Sequence, residues 1–368
     1  MIVQAEHLPE SWIGYYTSLM YGAAIIGSVA TARLLSSFSI RFVQMGALLA
    51  TGLGYALFSQ LGTGLLAILI ACAGIVLMGL AYGVIVPSGS LALSECYAQR
   101  LQPLVVSVRQ TGVPVGTAMV ALVAPLVAHN FGWQRMTTVV LAAVSISALL
   151  AMRGLRPFGA IAARPPHRQR LLGALRGSLG EPATRRLALV AGAYGINQAA
   201  LTTYLVPSLV WLHGMSVTRS AGYLAMATIA GAAARIVFGM TTARFGRIYL
   251  HLGLIGLGSG LAWLLLLWPL PSSMRMMAGS LLLGMSAMGW NGILLAEIAL
   301  VAPRGKTTEA VATGTSFAYF GVLVAPLIYV QLDHALRSKS GAIAGLAVLA
   351  VVAGCALLGP SSARSSSR

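Results

Sequence analysis

Two arginines sit where an apolar chain has least use for them. Arg33, in Ala32-Arg33-Leu34-Leu35, and Arg235, in Ala234-Arg235-Ile236-Val237, each interrupt a long apolar run. Arg235 precedes Arg244 by nine residues; on a continuous helix at 1.5 Å per residue it lies about 13 Å deeper. A guanidinium at membrane depth costs about 2.5–3.5 kcal/mol on insertion scales, so such a residue faces water, pairs, or marks a solute path. Its planar fork of donors matches carboxylate, nitrate or phosphate. Two readings stay open for both residues: substrate contact, or snorkelling to the near face and pairing with Glu297 or Glu95.

Glu95 and Glu297 each close an apolar run beside basic residues, Arg100 and Arg304. An interfacial carboxylate is cheap to keep charged, which argues against a proton carrier. No Asp or Glu stands at the centre of an apolar run; Asp333, His129, His213 and His251 lie near run ends. Tyr194, Asn197, Gln198, Thr202 and Tyr204 share one apolar run, and their spacing places most of them on one helical stripe. A polar stripe in lipid faces either a cavity or a neighbouring helix. Trp290 and Asn291 form a smaller pair of the same kind. Gly112, Pro114 and Gly116 suggest a hinge and a close helix contact.

Enzyme chemistry has no foothold. The sequence offers no nucleophile–base pair, metal cluster or phosphate loop, so no catalytic residue, metal or cofactor is expected. The three cysteines, Cys72, Cys96 and Cys355, have no CxxC spacing.

These residues must be positioned by membrane helices. Of the 368 residues, 58% are hydrophobic and 8% charged, with a mean hydropathy of +0.84, whereas soluble domains are about 45–50% apolar and about 25% charged. A soluble enzyme and a disordered chain are excluded. Net charge is +17, but the arginines fall between apolar runs, as the positive-inside rule expects, so the partner is a lipid bilayer rather than nucleic acid.

A span needs about 20 mainly apolar residues, and eleven segments qualify: 13–35, 41–60, 64–93, 104–128, 136–153, 187–212, 219–240, 248–268, 274–301, 310–333 and 341–358. The fold class is therefore all-α and polytopic. One set of alternate loops holds 19 of the 24 basic residues; the other holds Arg135, Arg219, Arg275, Arg337 and Lys339. That asymmetry predicts a cytoplasmic C-terminus and, eleven being odd, an external N-terminus in a plasma or bacterial inner membrane. Residues 1–153 form an N-terminal bundle of five spans, 154–186 a basic cytoplasmic linker, and 187–368 a C-terminal bundle of six.

The two bundles repeat each other. Arg33 and Arg235 are 202 residues apart, as are Glu95 and Glu297, while Leu122-Val-Ala-Pro-Leu126 returns 201 residues later as Leu323-Val-Ala-Pro-Leu327. Parallel repeats of this kind build many transporters.

Gly239-Met-Thr-Thr-Ala243-Arg244-Phe-Gly246-Arg247 resembles the G-x-x-x-D-R-x-G-R loop signature of the major facilitator superfamily, with Ala243 at the acidic position. Arg109-Gln-Thr-Gly-Val-Pro-Val-Gly116 and Glu297-Ile298 with Pro303-Arg304-Gly305 resemble the same superfamily. The resemblance implies two six-helix bundles around a substrate cavity, this chain supplying family helices 2–12 and lacking the first. It also implies that Glu95 and Glu297 latch to loop arginines, with Arg244 and Arg247 the partners of Glu297 and Gly239 and Gly246 shaping the gate. Nitrate and monocarboxylate facilitators similarly use an arginine on helix 8, the place of Arg235, and nitrate porters a second on helix 2, the place of Arg33.

The expected activity is movement of a small solute, an organic or inorganic anion, by a single-chain transporter. Arg235, Arg33, Tyr194, Asn197, Gln198 and Asn291 are its candidate ligands. The alternatives are an exporter of hydrophobic or cationic compounds and a truncated, non-transporting membrane protein.

Overall fold

The computed structural model describes residues 12–96, 109–154, 179–245, 247–269, 272–302 and 307–358. Eleven helices are described: α1 (Trp12–Ser37), α2 (Ile40–Phe58), α3 (Leu65–Cys96), α4 (Gly112–Phe131), α5 (Met136–Gly154), α6 (Pro182–His213), α7 (Val217–Phe245), α8 (Ile248–Leu267), α9 (Ser273–Val301), α10 (Thr307–Leu336) and α11 (Lys339–Leu358). They correspond one for one to the eleven apolar segments. Nine of the spans searched are long and apolar enough to cross a bilayer; α1 and α6 are the others. In α6 the rod is interrupted by a π-helical turn, Ala200–Tyr204, between Pro182–Ala199 and Leu205–His213.

All-helical structure is what lipid demands, because each backbone N–H and C=O must find its partner within the segment. The ends are closed by specific devices. Gly214 stops α6 in the left-handed region at φ 62°, a conformation that glycine adopts without a Cβ penalty. Arg275 reaches back from α9 to the end of α8, donating from Nε to the Leu265 carbonyl (3.0 Å) and from Nη2 to that of Trp268 (3.3 Å).

Two compact units result, residues 1–102 with 126–173 and residues 103–125 with 174–368. Residues 103–125 thus cluster with the later helices, whereas the sequence assigns that stretch to the N-terminal bundle. In the first unit α1 and α2 both pack on α3. The second unit uses the equivalent pairs, α7 and α8 on α9, and adds α6 with α10 and α8 with α11. Repeat-related residues fall on equivalent elements: Arg33 and Arg235 on α1 and α7, Glu95 and Glu297 on α3 and α9, Pro125 and Pro326 within α4 and α10.

Small residues set these crossings. A Cβ on Gly83 of α3 would overlap the Ala24 carbonyl of α1, and one on Gly284 of α9 would overlap the Ala227 carbonyl of α7. Gly195 against Ala318 joins α6 to α10 in the same way, and Gly256 against Ala350 joins α8 to α11. Lipid gives helices no hydrophobic reason to associate, so close backbone approach and dispersion contacts hold them. The Gly112/Gly116 pair of α4 differs from this expectation: a Cβ at either meets no atom within 4 Å, so the spacing alone did not make a contact.

Gly284→Val should therefore push α7 from α9 and destabilise the second unit by about 1–3 kcal/mol, the usual cost of overpacking. A lowered unfolding midpoint of the purified protein checks this, with Gly116→Val as the control that leaves it unchanged.

Candidate functional site

The second unit holds the one deep arginine whose side chain is described. Arg235, on α7, is 3% exposed. Its Nε donates to the Met288 carbonyl of α9 at 2.8 Å, and its Nη1 donates to the Gln110 carbonyl, just ahead of α4. α7 carries Ala234 and Phe238 beside it, packed against Gly289 of α9. The glycine admits the α7 side chains close to the α9 backbone, which brings the Met288 carbonyl within reach of the guanidinium. Arg235 does not snorkel: its planar donors are committed inside the helix layer. The side chains of Arg33 and Glu95 lie outside the described residues.

The polar stripe of α6 is largely spent on packing. Tyr194 and Asn197 are each 1% exposed. The Tyr194 hydroxyl donates to the Leu252 carbonyl of α8 at 2.5 Å, and its ring meets Trp290 edge-on with centroids 5.7 Å apart. Asn197 donates from Nδ2 to the Ser259 hydroxyl (2.9 Å), while its Oδ1 accepts the Trp263 indole N–H (3.1 Å). Of the two placements left open for the stripe, these two candidate ligands meet the neighbouring helix: a buried amide satisfied on both ends joins α6 to α8. Gln198 and Asn291 are half-buried, and the Trp290 indole is turned back onto the Ala287 carbonyl. Ser259 and Trp263, partners that the sequence reading missed, lie four residues apart on α8; that spacing puts them on one face and was the available signal.

The π turn ends on Tyr204, the last residue of the stripe, whose ring stacks on Tyr329 of α10 at 4.1 Å between centroids. Single π turns recur at functional places in helices.

The glutamate latch also differs from expectation. Glu297 is 8% exposed, beside the buried Leu294 and Ile298, and accepts a hydrogen bond from the Tyr249 side chain of α8. Arg244 is exposed with its guanidinium 5.6 Å over the Phe245 ring, and Arg247 is exposed at the start of α8. Long arginine stems let those cations reach the wet surface, whereas Glu297 is held in the helix layer within reach of the nearer phenol. Gly239 lies half-buried on α7; Gly246 is outside the described residues. Among the described residues no group of three or more His, Cys, Asp or Glu could hold a metal ion.

The family model of the Major Facilitator Superfamily matches residues 2–326. No curated protein matches in sequence. Among solved structures, a mutant of the peptide transporter POT is similar to this chain with a TM-score of 0.73 at 13% identity, covering 96% of this chain and 86% of that one. At that identity the likeness is one of fold.

Removing the α6–α8 amide bridge should cost stability first. Asn197→Ala leaves the Trp263 indole N–H buried without an acceptor, a loss of about 1–3 kcal/mol. Thermal unfolding should fall for Asn197→Ala and less for Gln198→Ala; equal midpoints for the two would contradict the assignment.

Proposed function

Because the chain belongs to the Major Facilitator Superfamily, a family of membrane transporters, we propose that it carries a small organic or inorganic anion across the membrane by alternating access, with Arg235 as the principal ligand. The observation that carries this reading is a guanidinium 3% exposed on a membrane helix, held in place by carbonyl oxygens of α9 and of residue 110. An anion meeting a fixed guanidinium gains charge-assisted hydrogen bonds roughly twice as strong as neutral ones. Positioning the side chain beforehand spares the cost of ordering it at the moment of binding. Gln198 and Asn291, half-buried on α6 and α9, are the supporting polar ligands; Tyr194 and Asn197 support the site by fixing α6 to α8. Arg33 takes the equivalent role on α1.

Glu297 and Tyr249 form the gate contact of the second unit in this reading, with Arg244 and Arg247 outside it. The protein works as a single chain, and its basic loops and C-terminus face the cytoplasm because 19 of 24 basic residues lie on that side of the predicted topology.

Two measurements test this. In proteoliposomes screened with nitrate, phosphate and small monocarboxylates, wild type should take up at least one of them. Arg235→Ala should reduce that uptake at least about tenfold, the equivalent of one lost charged hydrogen bond; Arg235→Lys should recover only part of it, since an ammonium lacks the fork. Uptake untouched by Arg235→Ala removes the residue from the site. For orientation, a fluorescent-protein fusion to the C-terminus should be bright and an alkaline-phosphatase fusion inactive; the opposite pattern inverts the topology.

A further inference from the structure

The Gln110 carbonyl that Arg235 engages is open for a reason written four residues further along the chain. In an α-helix the carbonyl of residue i accepts the N–H of residue i+4. The residue four after Gln110 is Pro114, which has no N–H to give. Residues 109 and 110 are helical, Thr111 is a turn, and α4 begins at Gly112. The chain thus passes this point as a helix interrupted at one place. The ladder resumes at once, with the Val115 N–H donating to the Thr111 carbonyl at 3.0 Å.

An acceptor is left where lipid supplies no donor, and a buried carbonyl without a partner costs its desolvation. Arg235 is a buried cation with donors to place. Its Nε donates to the Met288 carbonyl at 2.8 Å and its Nη1 to the Gln110 carbonyl, but the two acceptors differ in kind. Met288 lies inside α9, Ser273–Val301, where Gly292 supplies a helical N–H four residues on; the guanidinium is a second guest on that oxygen. The Gln110 oxygen receives nothing from position 114, so the guanidinium takes the place of the helical donor. Pro114 is itself buried. A Cβ at Gly112 or Gly116, on either side of it, meets no atom within 4 Å, so no close neighbour at these two glycines holds the helix against straightening once the proline ring is gone.

We propose that Pro114 is a positioning residue for Arg235. By withholding one N–H it keeps the Gln110 oxygen as the exchangeable acceptor of the guanidinium, occupied by Arg235 until an anion takes its donors and ready to receive it again when the anion leaves. The exchange rests on the reading of Arg235 as the anion ligand; the hold of Pro114 on Arg235 does not.

Two replacements at position 114 isolate the N–H. Pro114→Ala restores the donor, so the helix closes on the Gln110 oxygen in competition with Arg235. The hydroxy-acid analogue of alanine, inserted at the same position by nonsense suppression, carries the same methyl group but an ester oxygen instead of the N–H. Modification of Arg235 by phenylglyoxal, followed by peptide mass spectrometry on the full chain in phosphatidylcholine nanodiscs, reads the hold directly. Pro114→Ala should speed that modification about five- to tenfold, the worth of one hydrogen bond to the cation, with the exposed Arg219 as the unchanged reference. The ester variant should react at the wild-type rate. In proteoliposomes given nitrate, phosphate or acetate, whichever wild type carries, Pro114→Ala should lower the half-saturating concentration and the maximal rate together. The anion then displaces no acceptor on arrival and finds none to replace it on departure, whereas a loss of packing lowers the rate alone. Equal Arg235 modification in wild type and Pro114→Ala overturns the proposal. So does an ester variant that reacts as fast as Pro114→Ala, which assigns the effect to the proline ring. Faster modification rescued by the ester, with uptake indifferent to Arg235→Ala, upholds Pro114 as the positioning residue and removes the anion reading, so the two failures are separate.

Discussion

Hydrocarbon offers a polar group no partner, and this constraint decides where several polar side chains of the described helices go. Asn197 fulfils it by bridging Ser259 and Trp263, Tyr194 by reaching the Leu252 carbonyl, and Trp290 by turning onto Ala287. Arg275 fulfils it at a helix end by covering two carbonyls of α8. An unmade bond inside the layer costs the full desolvation of the group, so each of these contacts fixes a rotation of one helix against another.

Within that polar frame the backbones approach through glycine. Gly83 at Ala24, Gly284 at Ala227 and Gly256 at Ala350 leave no room for even one methyl group. Such contacts are stiff, because neither backbone can yield without breaking helical hydrogen bonds. They lie inside each unit. The interruption in α6 is of the other kind: the π turn at Ala200–Tyr204 spoils the regular ladder for one turn and hands its last residue to the Tyr204–Tyr329 stack. The second unit therefore combines rigid crossings with one helix whose regularity breaks near its middle.

How much of this could be read from residue order follows the same physics. A span is a property of some twenty consecutive residues, so all eleven helices were legible, as was the repeat that carries Arg33 to Arg235 and Leu122–Leu126 to Leu323–Leu327. Partners were not, because a partner depends on helix rotation, and each residue turns about 100°. The α6 stripe was legible as polar, yet spacing could not say whether Tyr194 and Asn197 met water or α8, nor that Thr202 is exposed. Glu297 was placed correctly at the end of α9, but its neighbour was taken from the basic loop, whereas Tyr249 is the partner found. Loop arginines have long stems and a choice of directions; a phenol on a packed helix does not. The grouping of residues 103–125 with the later helices was invisible for a related reason, since it depends on contacts far apart in sequence.

Three arginines on α7 show depth acting on one residue type. Arg219 and Arg244, toward the two ends, are exposed, whereas Arg235 between them is 3% exposed. The end residues reach water with a bend of the side chain; from the middle that route is too long, and the guanidinium takes carbonyl oxygens instead. Carbonyls are weaker acceptors for it than a carboxylate or phosphate oxygen. On the proposed reading an arriving anion therefore exchanges against the Gln110 carbonyl more readily than against an ion pair. Gln110 immediately precedes Thr111, where the helix turns before α4 begins. Occupation of Arg235 would then bear on that turn through the Gln110 hydrogen bond.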